Sequence, residues 1–312
     1  MGTSYLALGY ECNHKCICCP LTTFDRLHKK LSYEEVVERI LQINENQEQE
    51  VISRHIVLSG GEPMLHPDFL KILEFIVKEG FHVTILSNSS RCVDKRFVMA
   101  LKEIISQSKV DIITAIHSST PSIHDKITGV SGSLLETLEG LDNLVATDIP
   151  VTIKHIFHKM SIKTLLDTFQ YLEKHYPPQV EFQFCTMDYS GQAAKNKEKL
   201  YLTIPEIQPY IEAVLDYLEN NMVKPRRISF IETPLCLVDP YYWKYFVTSS
   251  KWLDTYIAPN AENRELNRKV VSECGAYYEA CKLCDVNQWC TGTWKSAFAS
   301  GNDILLRPIK KI

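Results

Sequence analysis

The chain has 312 residues, of which 45% are hydrophobic and 23% charged, as in an ordinary soluble globular protein. This length can bury a full core as one large domain, or as one domain with an appendage. The formal net charge of −4, without a long Lys or Arg block, disfavours a nucleic-acid-binding protein. No apolar run approaches the roughly eighteen residues that cross a bilayer, so we expect a cytoplasmic protein without a membrane partner.

A short apolar run at Ser4–Tyr10 predicts a buried strand, and it leads into the sequence CNHKCICCP, which holds four thiols within eight residues. Cys12, Cys16 and Cys19 are separated by three and two residues, a spacing that lets one loop turn three thiolates toward a common centre. Thiolates select soft metals, and a closed site normally takes four protein ligands. Three ligands favour an iron–sulfur cluster with one open iron. From the spacing alone, a zinc site, a disulfide or unrelated buried thiols remain alternatives.

The next elements lead to a glycine-rich loop. The stretch Ser32-Tyr33-Glu34-Glu35 has the form of a capping box, which predicts the start of a helix. A second strand is predicted at His55–Ser59, and it ends in Gly60-Gly61-Glu62-Pro63. Two glycines let the backbone bend and approach another group closely, although a glycine-rich turn without a ligand is the common alternative.

The cysteine spacing after a first strand and the Gly-Gly-Glu-Pro loop after a second resemble the radical S-adenosylmethionine (radical SAM) superfamily. This resemblance implies that Cys12, Cys16 and Cys19 bind a [4Fe–4S] cluster whose fourth iron chelates the amino and carboxylate groups of S-adenosylmethionine. The reduced cluster then cleaves the sulfonium to give a 5′-deoxyadenosyl radical. The resemblance also implies that the loop Gly60–Pro63 contacts the amino group of the methionine moiety. An external donor such as flavodoxin or ferredoxin is the expected electron source.

The third and fourth strands end in further candidates for cofactor contacts. The third predicted strand ends in Ser87 and Asn88, polar residues that resemble the family's ribose contacts. The fourth, Asp111–His117, ends in His117, while Ala115 stands where many relatives carry a serine, so no direct ribose contact is expected there. The stretch that follows resembles radical SAM maturases of ribosomally made peptides, including the His-Xaa-Ser type.

The fifth and sixth strands point residues toward the inside of a barrel. The fifth strand, Val151–His158, alternates so that one face carries Thr152, Lys154, Ile156 and His158. Lys154 stands where relatives often place an arginine that pairs with the S-adenosylmethionine carboxylate. In the sixth strand, Val180–Met187, we expect the apolar side chains to face the helices and the polar ones the lumen. Cys185 then faces the lumen, where its thiol could donate a hydrogen atom to a substrate radical; a simple buried thiol is the alternative.

Six strands that alternate with helices, over residues 4 to about 195, predict a parallel sheet with right-handed crossovers. The resemblance makes this α/β fold an open partial (β/α)6 barrel of the TIM type, whose active sites lie at the C-terminal ends of the strands. The polar stretch Ser190–Lys199 marks a seam. We therefore expect a radical SAM core at residues 1–195 and a small cysteine-rich region at residues 196–312.

The C-terminal third carries a second group of cysteines. Cys281, Cys284 and Cys290 have the tight spacing of metal ligands, and they resemble the SPASM or twitch type of auxiliary-cluster extension in radical SAM enzymes. In relatives a Pro-Leu-Cys far upstream joins such a triplet, which implies that Cys236 completes one auxiliary [4Fe–4S] site. A zinc ribbon is the alternative. The cysteines left over are Cys18, Cys92 and Cys274, the last being either spare or a replacement ligand.

These features together predict a radical SAM oxidoreductase that abstracts a hydrogen atom from a peptide, giving a cross-link or an epimer in a ribosomally made precursor. Radical modification of a small molecule, in cofactor or natural-product synthesis, is a second hypothesis. It is favoured because the cysteine loop begins at residue 12 and leaves no room for an N-terminal peptide-recognition domain. A non-enzymatic metal-binding scaffold with structural zinc is the third.

Overall fold

The computed structural model describes the greater part of the chain. The described residues are 3–21, 29–46, 54–105, 109–221, 226–248, 255–257, 269–270, 274–276, 279–298 and 307–310. Within these ranges, strands and helices alternate from the N-terminus to residue 231, as the hydrophobic pattern predicts. None of the helices in these ranges is both long and apolar enough to cross a membrane.

Seven parallel strands form the centre of the molecule. They are β1 (Thr3–Ala7), β2 (His55–Ser59), β3 (His82–Leu86), β4 (Val110–Ala115), β5 (Val151–Ile156), β6 (Glu181–Cys185) and β7 (Ile228–Ile231). Each strand pairs with the next along the chain, so the order across the sheet is β7-β6-β5-β4-β3-β2-β1. Every one of these pairings is parallel. The α/β class is confirmed, and β7 adds a strand to the six that the sequence predicts.

Helices connect the strands and continue after β6. They are α1 (Tyr33–Asn46), α2 (Phe69–Lys78), α3 (Lys95–Ile105), α4 (Pro121–Thr128), α5 (Ser133–Ala146), α6 (Leu165–His175), α7 (Gly191–Lys195), α8 (Lys197–Leu200), α9 (Ile204–Asn221) and α10 (Lys295–Phe298). The predicted capping box at the start of α1 is confirmed. The Ser32 backbone N–H donates to the Glu35 carboxylate at 2.6 Å, and the Glu35 N–H donates to the Ser32 hydroxyl at 3.2 Å.

Four short strands come from the C-terminal region. They are β8 (Thr255–Ile257), β9 (Lys269–Val270), β10 (Cys274–Ala276) and β11 (Thr293–Trp294). β8 pairs with β1 in parallel and β9 with β8 in antiparallel, while β10 and β11 form a separate antiparallel pair. The main sheet therefore has nine strands within the described ranges.

The strands end earlier than the sequence pattern predicts. β4 stops at Ala115 rather than His117, and β5 stops at Ile156 rather than His158. The alternation predicted through His158 is therefore wrong for that residue, which packs against the His117 ring at 5.5 Å between centroids. The apolar pattern continues past the ladder because these strand ends remain buried where they bend into the loops.

The two faces of the sheet differ in chemistry. On the outer face, Phe169 of α6 meets Phe182 and Phe184 of β6 edge-on, with ring centroids 5.1 and 5.8 Å apart. The inner face carries a polar row, in which His55 Nε2 lies 2.9 Å from the Thr84 hydroxyl and that hydroxyl lies 3.1 Å from the Asp111 carboxylate. The apolar side chains of β6 face the helices, so Cys185 lies on the inner face of the sheet, together with the polar row.

The C-terminal region attaches where β6 ends. The indole Nε1 of Trp294 donates to the Thr186 carbonyl at 3.0 Å, and the Ser296 hydroxyl donates to the Asp188 carboxylate at 2.7 Å. The hydroxyls of Thr186 and Thr293 lie 3.0 Å apart. These contacts place β11 and α10 against the C-terminal edge of the parallel sheet.

Candidate functional site

The cysteine loop follows β1, and backbone hydrogen bonds attach it to the end of α4. The N–H of Lys15 donates to the Thr128 carbonyl at 2.8 Å, and the N–H of Ile17 donates to the Ile127 carbonyl at 2.9 Å. Gly129 follows with φ = 69°, and a Cβ built there would lie 2.9 Å from the Lys15 carbonyl oxygen. The Ile-Thr-Gly sequence therefore supports the cysteine loop through its backbone.

The glycine-rich loop also holds the chain that leads into the cysteines. The N–H of Gly61 donates to the Gly9 carbonyl and that of Glu62 to the Glu11 carbonyl, both at 2.8 Å. A Cβ on Gly61 would lie only 2.0 Å from the Glu11 oxygen, and one on Gly60 would lie 2.1 Å from the Gly9 oxygen. The chain's own backbone therefore requires both glycines, independently of any ligand.

Glu62 ties the ends of β2 and β3 together. Its side chain is 4% exposed, and its carboxylate accepts hydrogen bonds from the Met64 N–H at 3.0 Å, the Ser87 hydroxyl at 2.8 Å and the Asn88 N–H at 2.7 Å. Burial raises the pKa of Glu62, and these three donors oppose the rise. Two of the predicted cofactor contacts, Glu62 and Ser87, thus bond to each other.

Asn88 extends this network to the cysteine loop. Its amide nitrogen Nδ2 donates to Asn13 Oδ1 at 2.8 Å, and Asn13 Nδ2 donates to the Ser90 hydroxyl at 2.8 Å. Three predicted parts of the site therefore lie together: the cysteine loop, the glycine-rich loop and the end of β3. Their assembly follows from parallel topology, which brings successive strand ends to one edge.

The three predicted cluster ligands form no disulfide and lie near enough for their charges to act on one another. Cys12, Cys16 and Cys19 are all partly exposed. Burial raises the pKa of Cys12 to about 11, and the charges of the other two thiols add to this rise. The pKa of Cys16 falls to about 5, chiefly through a hydrogen bond from Cys18 and then through His14. Three converging thiols on one loop fit a thiolate-bound cluster.

A cluster of five buried histidines lies next to this loop. None of its members is more than 4% exposed; they are His14, His117, His124, His155 and His158. The centroid of the His117 ring lies 5.5 Å from those of His124 and His158. Burial lowers the pKa of His124 and His155 to about 4 and that of His158 to about 3. Among the five, the sequence assigns only His117 to the cofactor site, because they lie in the cysteine loop, after β4, in α4, in β5 and after β5 and share no periodic spacing.

Cys185 is the last residue of β6, and two charged side chains act on its thiol. It is 2% exposed, and burial raises its pKa to about 12. Lys154, which hydrogen-bonds the thiol, opposes the rise, and the charge of Glu232 adds to it. The thiol therefore keeps its proton at neutral pH, as a hydrogen-atom donor must.

Sequence reasoning missed Glu232, which directly follows β7. Because Ile231 pairs with Cys185 on the inner face, an extended Glu232 would alternate toward the outer face. That face holds the aromatic stack in which Phe230 lies 4.9 Å from both Phe184 and Phe246. Glu232 instead adopts φ = 50°, a left-handed conformation that costs about 1 kcal/mol, and its side chain is 7% exposed. No motif in the sequence signals this turn.

The second group of thiols also converges. Cys236, Cys281, Cys284 and Cys290 line one cavity together with Arg307. Backbone N–H groups point at two of the sulfur atoms: those of Leu235 and Gly292 donate to Cys290 Sγ at 3.4 and 3.3 Å, and that of Ile309 donates to Cys284 Sγ at 3.4 Å. Such donors stabilise metal-bound thiolates, so the four residues fit a thiolate-ligated group.

None of the ten cysteines whose side chains are described forms a disulfide bond. The Cys274 side chain lies outside the described residues, and only its backbone in β10 is seen. Among the described residues, no three His, Cys, Asp or Glu side chains are already arranged to hold one metal ion. A cluster differs from a single ion because it spreads its protein ligands over several iron atoms.

The fold and the thiols define an α/β enzyme class whose site lies beyond the C-terminal ends of parallel strands. A family model described as the radical SAM superfamily matches residues 6–172, which is more than half of the chain. The chain therefore belongs to the radical SAM superfamily, as the two N-terminal motifs indicate.

Some curated relatives are named for a peptide and others for a smaller molecule. A "Probable GTP 3′,8-cyclase" of Thermococcus kodakarensis is 28% identical over 47% of this chain and 45% of its own length. The Fe-coproporphyrin III synthase of Methanosarcina barkeri is 24% identical over 66% of this chain and 49% of its own length. The PqqA peptide cyclase of Bradyrhizobium diazoefficiens is 22% identical over 65% of this chain and 52% of its own length. The matched part therefore spans about half the length of these relatives.

Solved structures match the fold over almost the whole chain. Streptococcus suis SuiB bound to its precursor peptide SuiA has a TM-score of 0.64 at 12% identity, covering 99% of this chain and 75% of that one. The native anSMEcpe bound to AdoMet and the Kp18Cys peptide has a TM-score of 0.63 at 16% identity, covering 98% of this chain and 93% of that one. At such low identity these likenesses establish the fold alone.

Proposed function

We propose that this chain is a radical SAM enzyme that abstracts a hydrogen atom from a residue of a peptide, giving a cross-link or an epimer in a ribosomally made precursor. The observation that carries the proposal is the presence of two separate thiol groups beyond the C-terminal ends of the same parallel sheet. One group follows β1 and the other begins after β7. Relatives and structural neighbours whose names or titles include a peptide support the choice of substrate.

The N-terminal site is assigned to the radical-forming cofactors. Cys12, Cys16 and Cys19 would hold a [4Fe–4S] cluster, which with S-adenosylmethionine supplies the 5′-deoxyadenosyl radical. The loop Gly60–Pro63 is proposed to face the methionine moiety through its backbone, since the Glu62 carboxylate already accepts three hydrogen bonds. Electrons would come from an external donor such as flavodoxin or ferredoxin.

Other polar residues at the strand ends are proposed to complete cofactor binding. Ser87 and Asn88 would lie near the ribose, and Asn88 already bonds to the cysteine loop through Asn13. His117 lies beside that loop, with its Nε2 3.8 Å from Cys18 Sγ. Lys154 is proposed to supply positive charge for the carboxylate of S-adenosylmethionine, although Lys cannot offer the two-pronged geometry of Arg.

The C-terminal site is assigned to one auxiliary [4Fe–4S] cluster held by Cys236, Cys281, Cys284 and Cys290. The division into a core at residues 1–195 and an auxiliary region at residues 196–312 remains part of this proposal, with β7 of the second region pairing to β6 of the first. Forming a cross-link removes a second electron and a proton from the peptide after hydrogen abstraction. The auxiliary thiols would hold the acceptor of that electron. A zinc ribbon is the competing assignment, and iron, zinc and acid-labile sulfide analysis separates the two.

Epimerisation needs a different last step, in which the peptide radical takes a hydrogen atom back. Cys185 is proposed as the donor for this outcome. Its thiol keeps its proton and lies on the inner face of the sheet beside Lys154. A Cys185→Ala variant that still forms 5′-deoxyadenosine but no epimer would support the assignment, and unchanged turnover would remove it.

The test is mass spectrometry of a candidate precursor peptide after anaerobic co-expression with the enzyme. Loss of two hydrogens is expected for a cross-link, and unchanged mass with deuterium uptake from heavy water for an epimer. Cys12→Ala must abolish either change, whereas Cys92→Ala, which removes a buried thiol outside both groups, must not. If the peptide is unchanged while the purified protein still forms 5′-deoxyadenosine, the peptide proposal fails.

That last outcome would favour a small-molecule substrate. The names of two relatives, a GTP 3′,8-cyclase and an Fe-coproporphyrin III synthase, motivate this second candidate. The same purified protein would then be assayed with a nucleotide and with a porphyrin, using 5′-deoxyadenosine formation above background as the readout.

A further inference from the structure

We propose that residues 188–196, which we call the linking segment, position Cys19 and couple the two thiol groups to each other, with Ser296 of α10 as the residue that holds the segment in place. This role rests on the proposed function, because it takes Cys19 as a ligand of the N-terminal cluster and the C-terminal thiols as a second metal site. The polar stretch at residues 190–199, where the sequence predicts a seam, is thus a connection between the two regions.

One end of the linking segment is bonded to the cysteine loop. The backbone N–H groups of Gln192 and Ala193, in α7, both donate to the Cys19 carbonyl, at 2.9 and 3.2 Å. The Ser190 hydroxyl donates to the Pro20 carbonyl at 3.2 Å. The linking segment therefore holds two successive carbonyl groups of the loop, one of which belongs to the predicted ligand itself.

The same end is packed too closely to admit a side chain at Gly191. This residue has φ = 54°, and a Cβ built there would lie 2.2 Å from the Pro20 carbonyl oxygen and 2.3 Å from that of Leu21. Further along, the amide nitrogen Nδ2 of Asn196 lies 3.5 Å from the Ile17 carbonyl oxygen. The cysteine loop is thus in contact with the linking segment from Ile17 to Leu21.

The other end of the linking segment is bonded to α10, which belongs to the C-terminal region. The Ser296 hydroxyl accepts from the Tyr189 N–H at 2.9 Å and donates to the Asp188 carboxylate at 2.7 Å. The same carboxylate oxygen accepts from the Ser190 N–H at 3.0 Å. A hydroxyl has one proton and two lone pairs, so Ser296 can make both of its bonds at once. One side chain therefore fixes the start of the linking segment.

The chain that carries Ser296 begins at an auxiliary thiol. Ser296 follows Cys290 by six residues. Between them, the indole Nε1 of Trp294 donates to the Thr186 carbonyl at 3.0 Å, which holds this run against the end of β6. A continuous set of bonded residues therefore leads from Cys290 to Ser296, and from there through the linking segment to Cys19.

This connection gives metal binding at one thiol group an effect on the other. A metal group bound at the C-terminal thiols fixes Cys290 and so orders α10. The linking segment then loses less conformational entropy when it bonds to Ser296, and its hold on the Cys19 carbonyl is stronger. Such coupling is reciprocal, so filling either thiol group stabilises the other. Because position between two sites is not by itself proof of coupling, the test measures the coupling directly.

The test is hydrogen–deuterium exchange of the anaerobically reconstituted full chain, followed by mass spectrometry. The readouts are peptides that contain the Gln192 and Ala193 N–H groups and peptides of the cysteine loop at residues 12–21. Ser296→Ala is expected to speed the exchange of both about tenfold, because two hydrogen bonds are lost. Ser296→Thr, which keeps the hydroxyl, should restore protection. Exchange in α3 should be the same in all three proteins, which separates a local effect from general destabilisation.

Two further variants test the other end of the segment and the coupling. Gly191→Ala should also speed exchange of the cysteine loop, whereas Gly132→Ala should not, because Gly132 has a positive φ as well but no atom lies within 4 Å of its added Cβ. Cys284→Ala, which removes a proposed auxiliary ligand, should speed exchange in the linking segment. Adding Ser296→Ala to it should then have a smaller effect than Ser296→Ala has alone.

Three results would count against this role. Wild-type exchange of the cysteine loop in both Ser296→Ala and Gly191→Ala would overturn the positioning of Cys19. Additive effects of Cys284→Ala and Ser296→Ala would overturn the coupling. A Cys12→Ala chain that binds neither iron nor zinc would overturn the proposed C-terminal metal site and the coupling with it, while the Ser296→Ala exchange still decides the positioning. If Ser296→Ala does not fold, Gly191→Ala and its control decide it.

Discussion

Single residues at the strand ends are constrained by the chain's own backbone before any cofactor is considered. Gly61 shows this most directly, because the Glu11 carbonyl occupies the space of its missing Cβ at 2.0 Å. The Gly61 and Glu62 N–H groups meanwhile bond to Gly9 and Glu11. A side chain at residue 61 must therefore break the connection between the glycine-rich loop and the segment that carries Cys12.

We predict that Gly61→Ala lowers the melting temperature and reduces S-adenosylmethionine binding at least tenfold, because the Glu11 carbonyl must move. Gly132→Ala is the control: no atom lies within 4 Å of its added Cβ, although Gly132, unlike Gly61, has a positive φ of 82°. That change should cost only about 1 kcal/mol of stability and leave binding intact. Calorimetric titration of the reconstituted protein measures the S-adenosylmethionine affinity of both variants, and a thermal melt measures their stability. Wild-type affinity in Gly61→Ala would contradict the argument.

At the scale of elements, an ionic and aromatic contact joins α9 to the turn Pro240–Tyr245. The Glu219 carboxylate accepts hydrogen bonds from the hydroxyls of Tyr241 and Tyr245, both at 2.6 Å, and Lys244 Nζ lies 2.7 Å from it. Together these partners lower the pKa of Glu219 to about 2. The turn follows Cys236, so this contact anchors one side of the auxiliary thiol group to the core.

We predict that Glu219→Gln lowers the melting temperature and speeds proteolysis near Lys244, because the ion pair is lost. The pKa of the folded state lies below the ordinary 4.5, so the stabilisation is present above that pH and is lost as the pH falls toward 2. Glu212→Gln on the same helix is the control, since Glu212 accepts only from Gln208 in the described contacts. Equal proteolysis rates in the two variants would refute the role of Glu219.

At the scale of the whole molecule, the buried histidines couple stability to pH. Burial keeps His117, His124, His155 and His158 neutral in the folded chain, whereas the unfolded chain takes up protons as the pH falls below about 6.5. The unfolded state then binds more protons, so stability is present above that pH and is lost as the pH falls toward about 4.

We predict that the melting temperature falls steadily between pH 7 and 5 and that His158→Gln makes this fall shallower, because one imidazole fewer is protonated on unfolding. Each histidine contributes at most about 1.4 kcal/mol per pH unit. Differential scanning fluorimetry under nitrogen measures the dependence, with His155→Gln as a second member of the same cluster. Parallel curves for wild type and both variants would be incompatible with this origin.

The sequence by itself determined the features that depend on neighbours along the chain. The spacing of Cys12, Cys16 and Cys19, the glycine-rich loop and the alternation in β6 are local patterns with local causes. They suffice for the α/β class and for the radical SAM superfamily. The sequence places the ends of β4 and β5 at His117 and His158, two residues beyond their real ends, because burial continues after the hydrogen-bonded ladder stops.

Only the tertiary structure decided which distant residues share a site. His14, His117, His124, His155 and His158 form one cluster because the parallel topology brings the cysteine loop, α4 and the ends of β4 and β5 to one edge of the sheet. Cys18 is buried beside the backbone hydrogen bond that joins Ile17 to α4, and the left-handed turn at Glu232 avoids the aromatic stack on the outer face of the sheet. These placements arise from contacts between residues far apart in sequence. A one-dimensional pattern records periodicity but not which loops meet.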